Sequence, residues 1–237
     1  MTRRRWIADE FSDNHAALTS THADHLIRVL RARVGQEFDI ATGEIVRRGR
    51  IVTIQPDRVE FELHEEIPAK PTLTLTLLLA IFKFDRMEWA IEKCTELGVM
   101  RIVPVIARRT DAHLAAASAK RAERWRRIAL QASEQSRRAA PPEIAPPIKL
   151  QSAIGLTASL RIVLAESEQQ TLLSEILAAH QQREVLLAIG PEGGWTEEEL
   201  NSFQKSGWIS ASLGSTVLRA ETAAIAATAI TIAEQAS

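Results

Sequence analysis

Two glycine-rich turns in the last third of the chain constrain its fold most strongly. Residues 190–196 read GPEGGWT, and residues 213–222 read LGSTVLRAET. Each turn follows a short apolar run and precedes a stretch with helical spacing, which predicts a passage from strand through loop to helix. Ligands of α/β sheets bind at the carboxyl ends of strands, where such loops meet. The two turns therefore predict one pocket bordered by two backbone loops.

The spacing of apolar residues changes at the proline-flanked segment 68–71, which we interpret as a linker because proline interrupts regular structure. Residues 1–67 predict a small β-rich domain, and residues 72–237 predict a second domain. The predicted elements of the first domain are one helix and three strands, 23–33, 37–41, 44–54 and 58–63.

Strand and helix patterns alternate in the second domain, which predicts an α/β fold with a parallel sheet and helices on both faces. The predicted strands are 72–82, 101–106, 161–165, 184–189 and 208–213. The predicted helices are 85–97, 118–139, 171–179, 196–205 and 221–234.

Charge is distributed unevenly although the formal net charge is only −1. Residues 83–138 carry thirteen Lys/Arg and seven acidic residues, whereas residues 139–237 carry five and eleven. A basic middle segment fits a phosphate-bearing partner such as RNA, and it equally fits a solvated helix face. Charge alone leaves both interpretations open.

The first turn does not match a phosphate site. It lacks the glycine pattern of dinucleotide-binding loops and the lysine of a P-loop. Thr196 and Glu199 predict a capping box for the next helix, and the acidic run 197–199 would repel a phosphate there. Glycines allow close approach of the backbone, so the loop suits an adenosine with a short zwitterionic tail. A tight turn that merely requires positive φ is the alternative.

The second turn brings Arg219 and Glu221 close to Gly214. The following helix consists mainly of small residues and is predicted to be buried nearly all round. We place the two charges at the mouth of the predicted pocket, where they serve either the ligand or a structural ion pair that braces the loop.

Other chemistries are disfavoured. The single cysteine, Cys94, excludes an intrachain disulfide, and we expect it to be a small buried hydrophobe. The six histidines lack the spacing of a metal site, and no nucleophile motif is present, so we expect no metal. No apolar run approaches the length of a membrane span, and nothing resembles a signal peptide. We therefore expect a cytoplasmic protein with no membrane partner.

Six segments together resemble one known family. They are IGPEGGWT at 189–196, LRAETAA at 218–224, and residues 85–99, 124–136, 25–31 and 4–6. The combination is similar to the 16S ribosomal RNA uridine-N3 methyltransferases (RsmE) of the SPOUT superfamily. The resemblance implies a PUA-like β-barrel over residues 1–67, and a methyltransferase domain over 72–237 whose C-terminal segment forms a trefoil knot.

The resemblance also implies S-adenosylmethionine as cofactor, small-subunit 16S RNA as substrate and a homodimer formed through the knotted domain. Ten residues are implied to bind the cofactor: Ala165, Glu166, Ile189, Gly190, Gly193, Gly194, Leu213, Gly214, Val217 and Leu218. Arg219 would orient the uracil or a flanking phosphate, and Glu221 would hold Arg219 or help remove the N3 proton. The RNA-binding candidates are Arg4, Arg5, Arg28, Arg31, Arg126, Arg127, Arg137 and Arg138.

The implied reaction is methylation of N3 of a specific uridine in the decoding region of 16S RNA. This chain has Ser215 and Thr216 where the family often carries Pro-Arg, so a second arginine is absent from the loop. Two alternatives remain open. One is a SPOUT enzyme acting on another RNA, such as a transfer RNA ribose 2′-O-methyltransferase, and the other is a non-catalytic RNA-binding or ribosome assembly protein.

Overall fold

The computed structural model of the chain describes residues 5–43, 45–67, 73–136 and 138–235. Its strands are β1 Arg5–Ile7, β2 Glu10–Phe11, β3 His15–Thr19, β4 Glu37–Thr42, β5 Ile45–Gln55, β6 Arg58–Ile67, β7 Thr74–Ala80, β8 Arg101–Ile106, β9 Glu143–Ile144, β10 Ile148–Lys149, β11 Leu160–Leu164, β12 Glu184–Ile189 and β13 Ile209–Ala211. Its helices are α1 Ser20–Asp24, α2 Phe84–Leu97, α3 Ala112–Gln135, α4 Leu150–Ile154, α5 Leu173–Ala179, α6 Glu197–Lys205 and α7 Ala220–Gln235. A π-helical segment, His25–Val29, follows α1.

The chain divides into two compact units. One unit comprises Met1–Pro71 together with Ser133–Ala140, and the other comprises Thr72–Ala132 together with Pro141–Ser237. The end of α3 thus groups with the N-terminal sheet, whereas the sequence alone places the whole helix in the second domain. The predicted linker 68–71 lies outside the described residues.

The first sheet has the strand order β1-β4-β5-β6-β3-β2. Its two edge strands are consecutive in the chain, and the residues between them bond to both sides of the sheet. The Ala8 N–H donates to Ala41 O in β4 at 2.9 Å, and the Asp9 N–H donates to Ala17 O in β3 at 3.0 Å. Residues 5–11 therefore curl the sheet into the small β-barrel that the resemblance implies.

The predicted helix 23–33 is shorter and begins earlier than expected. It comprises α1 and the π-helical segment His25–Val29, and Arg31 follows in the left-handed region at a φ of 51°. A non-glycine residue at positive φ cannot continue a right-handed helix. The barrel core is still formed by the apolar face of this segment, because Leu26 is fully buried beside Phe61.

The second sheet is parallel throughout, with the order β10-β8-β7-β12-β11-β13 and β9 beside β8. Its two faces carry separate hydrophobic cores. One core includes Met87 of α2, Trp125 of α3 and Ala224 of α7, and the other includes Ile154 of α4 and Phe203 of α6. The predicted α/β fold with helices on both faces is confirmed, and the trefoil knot stays a prediction.

Helix ends follow the predicted signals. Thr196 caps α6, its side chain accepting from Glu199 N at 3.2 Å while Glu199 accepts from Thr196 N at 2.8 Å. Gly98 ends α2 at a φ of 116°. The predicted capping box is therefore confirmed.

The small-residue helix α7 packs against α2 and α5. Cys94 of α2 is fully buried in this contact and accepts from Thr228 Oγ1 at 3.4 Å. Burial raises the pKa of the Cys94 thiol to about 12, so the thiol behaves as the small hydrophobe expected from sequence. None of the described helices is both long enough and apolar enough to cross a membrane.

Candidate functional site

Three neighbouring strands end at one cavity. Because β12, β11 and β13 are adjacent and parallel, the loops that follow them emerge side by side. These loops enclose a cavity of about 1050 Å³. All ten residues predicted to bind the cofactor line it: Ala165, Glu166, Ile189, Gly190, Gly193, Gly194, Leu213, Gly214, Val217 and Leu218. The structure thus brings together residues that lie up to 53 positions apart in the sequence.

The first glycine turn is folded around Trp195, which is 7% exposed. The Trp195 indole N–H donates to Leu164 O at 3.0 Å and so ties this turn to the end of β11. A Cβ atom added to Gly190 would lie 3.3 Å from the indole nitrogen, and Gly194 has a φ of 66°. Close approach and positive φ both therefore require glycine in this turn.

The second turn depends on Gly214, whose φ is 121°. Ser212 Oγ accepts from Gly214 N and donates to Gly214 O, both at 3.1 Å, which closes the turn tightly. A Cβ atom added to Gly214 would have no protein atom within 4 Å, so the glycine borders open space rather than a packed core. Val217, further along the same loop, is 77% exposed.

Arg109 lines the cavity although sequence reasoning did not select it. Arg109 follows the carboxyl end of β8, at the edge of the sheet where the loops after β11, β12 and β13 also begin. This position after a strand is the signal that could have identified it. Its Nη1 donates to Gly193 O and, at 3.4 Å, to Trp195 O. An added Cβ on Gly193 would lie 3.2 Å from Arg109 Cδ, so the glycine leaves room for the arginine.

Arg219 and Glu221 form no ion pair with each other in the structure, and neither lines the cavity. Arg219 is exposed just before α7, and its side chain has no partner among the described residues. Glu221 is buried and pairs with Arg86 Nη1 of α2 at 3.2 Å. In the structure Glu221 thus pairs with Arg86 and not with Arg219, and the catalytic roles of Arg219 and Glu221 stay predictions. Residues two apart at the start of a helix point in different directions, so they do not face each other.

The RNA-binding candidates differ in exposure. Arg31 and Arg127 are exposed, as are Arg28, which pairs with Asp24, and Arg126, whose Nε donates to Ile144 O at 3.3 Å. Arg5 and Arg138 are half-buried, and burial lowers the pKa of the Arg138 guanidinium to about 10. Arg4 and Arg137 lie outside the described residues. The exposed four are the better placed to meet a phosphate backbone.

A family model described as an RNA methyltransferase domain matches residues 68–232. This stretch contains the parallel sheet and all three cavity loops, so the class of the chain is that of an RNA methyltransferase domain protein. In the part of the chain that the structure describes, no group of three or more His, Cys, Asp or Glu is arranged to hold a metal ion.

Curated relatives narrow the class to one family. The "Ribosomal RNA small subunit methyltransferase E" of Rickettsia conorii is 33% identical over 221 residues, covering 90% of this chain and 87% of the relative. The protein of the same name from Synechocystis is also 33% identical and is covered over 69% of its length. The chain belongs to the ribosomal RNA small subunit methyltransferase E family, which confirms the resemblance.

A solved structure has a similar fold over almost the whole length of this chain. The ribosomal RNA small subunit methyltransferase E from Neisseria gonorrhoeae, bound to S-adenosyl methionine, is 30% identical with a TM-score of 0.85. The match covers 98% of each chain. The barrel and the α/β domain are thus both part of the family's fold.

Proposed function

We propose that this chain uses S-adenosylmethionine to methylate N3 of a specific uridine in 16S ribosomal RNA of the small subunit. The observation that carries the proposal is the cavity at the ends of β11, β12 and β13, which all ten cofactor candidates line. Family membership supports the small-subunit RNA as substrate, since the relatives are named for that activity.

The cavity suits the proposed cofactor in size and chemistry. Its volume of about 1050 Å³ is at the upper end of small-molecule pockets, which span about 300–1,000 Å³. Four glutamates line it, Glu166, Glu168, Glu192 and Glu197, and they favour a ligand that carries a sulfonium and an ammonium. The glycine turns at 190–194 and 214 let backbone groups approach an adenosine closely. When bound, the cofactor supplies an activated methyl group.

Arg219 is the chain's own contribution to substrate activation in this proposal. Its guanidinium is exposed and unpaired among the described residues, directly after the cavity loop that ends at Leu218. A cation beside O2 or O4 of uracil lowers the pKa of N3 and stabilises the anion formed as the proton leaves. Glu221 pairs with Arg86 and not with Arg219. In this proposal Glu221 therefore stabilises the start of α7 and does not contact the base.

RNA recognition is assigned to the N-terminal domain and to α3. We propose that residues 1–67 act as a PUA-like RNA-binding barrel and 72–237 as the methyltransferase domain, joined at 68–71. The exposed arginines Arg28, Arg31, Arg126 and Arg127 would contact phosphates, which position the RNA without reading its sequence. A base inside folded RNA must also be exposed before its N3 can react.

A methyl-transfer experiment tests the proposal. Labelled S-adenosylmethionine is incubated with the protein and either unmodified small-subunit particles or naked 16S RNA, and nucleosides are identified by mass spectrometry. We expect 3-methyluridine, and the comparison shows which assembly is recognised. A 2′-O-methylated nucleoside would contradict the N3 assignment. Cofactor binding without label in either substrate would place the target in another RNA, with transfer RNA tested next.

The role of Arg219 is tested separately with Arg219→Ala. We expect methyl transfer to fall about 10²- to 10³-fold, the usual effect of removing a donor to a developing anion. Binding of S-adenosylhomocysteine should stay unchanged, because Arg219 does not line the cavity. Arg183→Ala is the matched control, since Arg183 is exposed and precedes the amino end of β12. Full transfer by Arg219→Ala would disprove the role.

A further inference from the structure

Arg109 is the only cationic residue among the described residues that line the cavity, and four glutamates are also part of its lining. The acidic lining suits the positive groups of the proposed cofactor. It does not suit the carboxylate at the end of the cofactor's amino-acid tail, which four neighbouring carboxylates would repel. A zwitterionic tail in this cavity therefore needs a local positive charge, and Arg109 is placed to supply it.

The contacts of Arg109 leave part of its guanidinium available. Nη1 alone donates to both protein carbonyls, Gly193 O and Trp195 O. Nε and Nη2 have no partner among the described residues, and the residue is exposed to the cavity. The guanidinium presents several donors in a planar fork that matches the geometry of a carboxylate. The first glycine turn therefore orients Arg109 without using up its hydrogen-bonding capacity.

The segment that carries Arg109 is held firmly by its neighbours. The Arg108 backbone N–H donates to Glu199 Oε1 at 2.7 Å, and the other oxygen of Glu199 completes the capping box of α6. Thr110 Oγ1 accepts from Ala107 N at 3.1 Å and donates to Ile81 O at 3.3 Å. These bonds fix the backbone on both sides of Arg109.

We propose that Arg109 binds the carboxylate of the cofactor's amino-acid tail and so selects ligands that carry this tail. The proposal rests on the function proposed above, because it takes S-adenosylmethionine as the ligand. It adds a residue from the loop after β8 to a site otherwise built from the loops after β11, β12 and β13. Arg109 is thus a specificity-determining residue, because it binds the carboxylate at the end of the cofactor distant from the adenosine.

Two ligands that differ in the tail separate this role from a merely structural one. S-adenosylhomocysteine carries the ammonium and the carboxylate, whereas 5′-methylthioadenosine keeps the adenosine and the sulfur but lacks both. Calorimetric titration gives the affinity of each ligand for the wild-type protein and for Arg109→Met. We expect the variant to lose about 10- to 100-fold in affinity for S-adenosylhomocysteine, the typical effect of a hydrogen-bonded charged contact. Affinity for 5′-methylthioadenosine should change less than about 2-fold.

Arg108→Met is the matched control. It removes an adjacent exposed arginine that does not line the cavity, and it keeps the backbone bond to Glu199. We expect it to leave both affinities unchanged. If Arg109→Met does not fold, as judged by thermal unfolding, Arg109→Lys replaces it. The lysine keeps the charge but loses the fork, so we expect a smaller loss that is still confined to S-adenosylhomocysteine.

Three outcomes would overturn the proposal. Equal losses for both ligands would mean that Arg109 only braces the first glycine turn. Unchanged affinity for S-adenosylhomocysteine, with weaker binding of 16S RNA, would assign Arg109 to an RNA phosphate instead. Unchanged affinity for ligands and RNA alike would leave Arg109 no part in binding. Failure of the wild-type protein to bind either nucleoside would instead refute the proposed function itself, so the two failures are distinguishable.

Discussion

Gly214 shows how a single residue conditions the cavity. Its φ of 121° lies in a region that other residues adopt only with strain, yet space beside it is open. In Gly214→Ala we therefore expect a backbone effect without a steric clash. The loop should shift, the affinity for S-adenosylhomocysteine should fall about 10-fold, and stability should fall by about 1 kcal/mol. Calorimetry and denaturant unfolding measure the two quantities.

Gly155→Ala is the control for that substitution. Gly155 follows α4 with a φ of −75°, which any residue adopts, and an added Cβ would make only ordinary contacts at 3.6 Å or more. We expect unchanged ligand affinity and equal or slightly higher stability. An equal loss of affinity in both variants would show that the positive φ of Gly214 is not the cause.

Arg86 and Glu221 form an ion pair in which the carboxylate is buried and the Arg86 side chain is 32% exposed. Only 6% of the Glu221 side chain is exposed, and its Oε2 has no hydrogen-bond partner within the described residues. Arg86→Ala would leave a buried carboxylate without its cation, so we expect a loss of about 2–4 kcal/mol in unfolding free energy. Adding Glu221→Gln should recover part of it, because a neutral amide costs less to bury.

Urea unfolding of the two single variants and the double variant checks this prediction. Arg28→Ala is the comparison, since Arg28 and Asp24 form an exposed pair whose removal should cost less than about 1 kcal/mol. Equal effects of Arg86→Ala and Arg28→Ala would contradict the buried character of the Glu221 carboxylate.

Among elements, α1 and the end of α3 are connected by one histidine. His22 Nε2 lies 2.9 Å from Glu134 Oε1, and Nδ1 lies 2.9 Å from Asp9 Oδ1, within one compact unit. The close contact with the Glu134 carboxylate is the main cause that raises the pKa of His22 from 6.5 to about 9. Two carboxylates thus hold the imidazolium between the first residues of the barrel and the end of α3.

The pH dependence of stability follows from this raised pKa. The contribution of His22 is fully present below pH 6.5, where the unfolded state also binds the proton, and it is lost as pH rises through about 9. Because the His22 site is only half-buried, solvent screens its charges, and we expect its contribution to the free energy of unfolding to be about 1–2 kcal/mol. Urea unfolding at pH 6, 7.5 and 9.5 should show a larger decrease in the wild type than in His22→Gln. A smaller decrease at pH 9.5 is common to both proteins, because the Cys94 thiol ionises more readily in the unfolded state.

His113→Gln is the control for the histidine. The ring of His113 is exposed and has no carboxylate partner in the described parts of the chain. This variant should keep the wild-type pH profile. A flat profile in the wild type between pH 6.5 and 9 would refute the role assigned to His22.

Elements with a clear hydrophobic pattern could be predicted from sequence, and the others could not. Strands β8 and β12 were predicted with the bounds observed, because both are continuous apolar runs in a parallel sheet. Strands β9 and β10 have two residues each, too few to show any period. The position of the glycine turns after strands predicts the pocket, and the family resemblance supplies its individual residues. Arg109 belongs to neither set, because the sequence shows it only as part of a basic segment. The pairing of Glu221 with Arg86 joins positions 135 residues apart, which local patterns do not reveal.

At the scale of the whole molecule, the proposed homodimer has a surface that suits it. Trp89 of α2 is 49% exposed, and beside it lies an apolar hollow of about 420 Å³, also lined by Ile225 and Ala226 of α7. Tryptophan is enriched at protein interfaces, where it often contributes much of the binding energy. We therefore propose that the dimer of the methyltransferase domain forms through α2 and α7.

Trp89→Glu tests this surface. A carboxylate cannot be buried there without a partner, so we expect the variant to be monomeric where the wild type is dimeric. Light scattering coupled to gel filtration measures the mass. Phe11→Glu is the control, because Phe11 is 57% exposed on the barrel and should leave the dimer intact. A monomeric wild type at micromolar concentration would refute the dimer.

The packing of α7 against α2 and α5 has a consequence for folding of the chain during its synthesis. The barrel unit ends at Ala140, so all of its residues are synthesised before the last part of the methyltransferase domain, and domains generally fold as units during synthesis. Cys94 and its apolar neighbours on α2, by contrast, are buried only after α7 has been synthesised and has packed against them. Until then the nascent methyltransferase domain exposes an apolar surface of the kind that chaperones bind. A product released early by a premature stop before Ala220 would keep that surface permanently, and quality-control proteases would remove it although its barrel is sound.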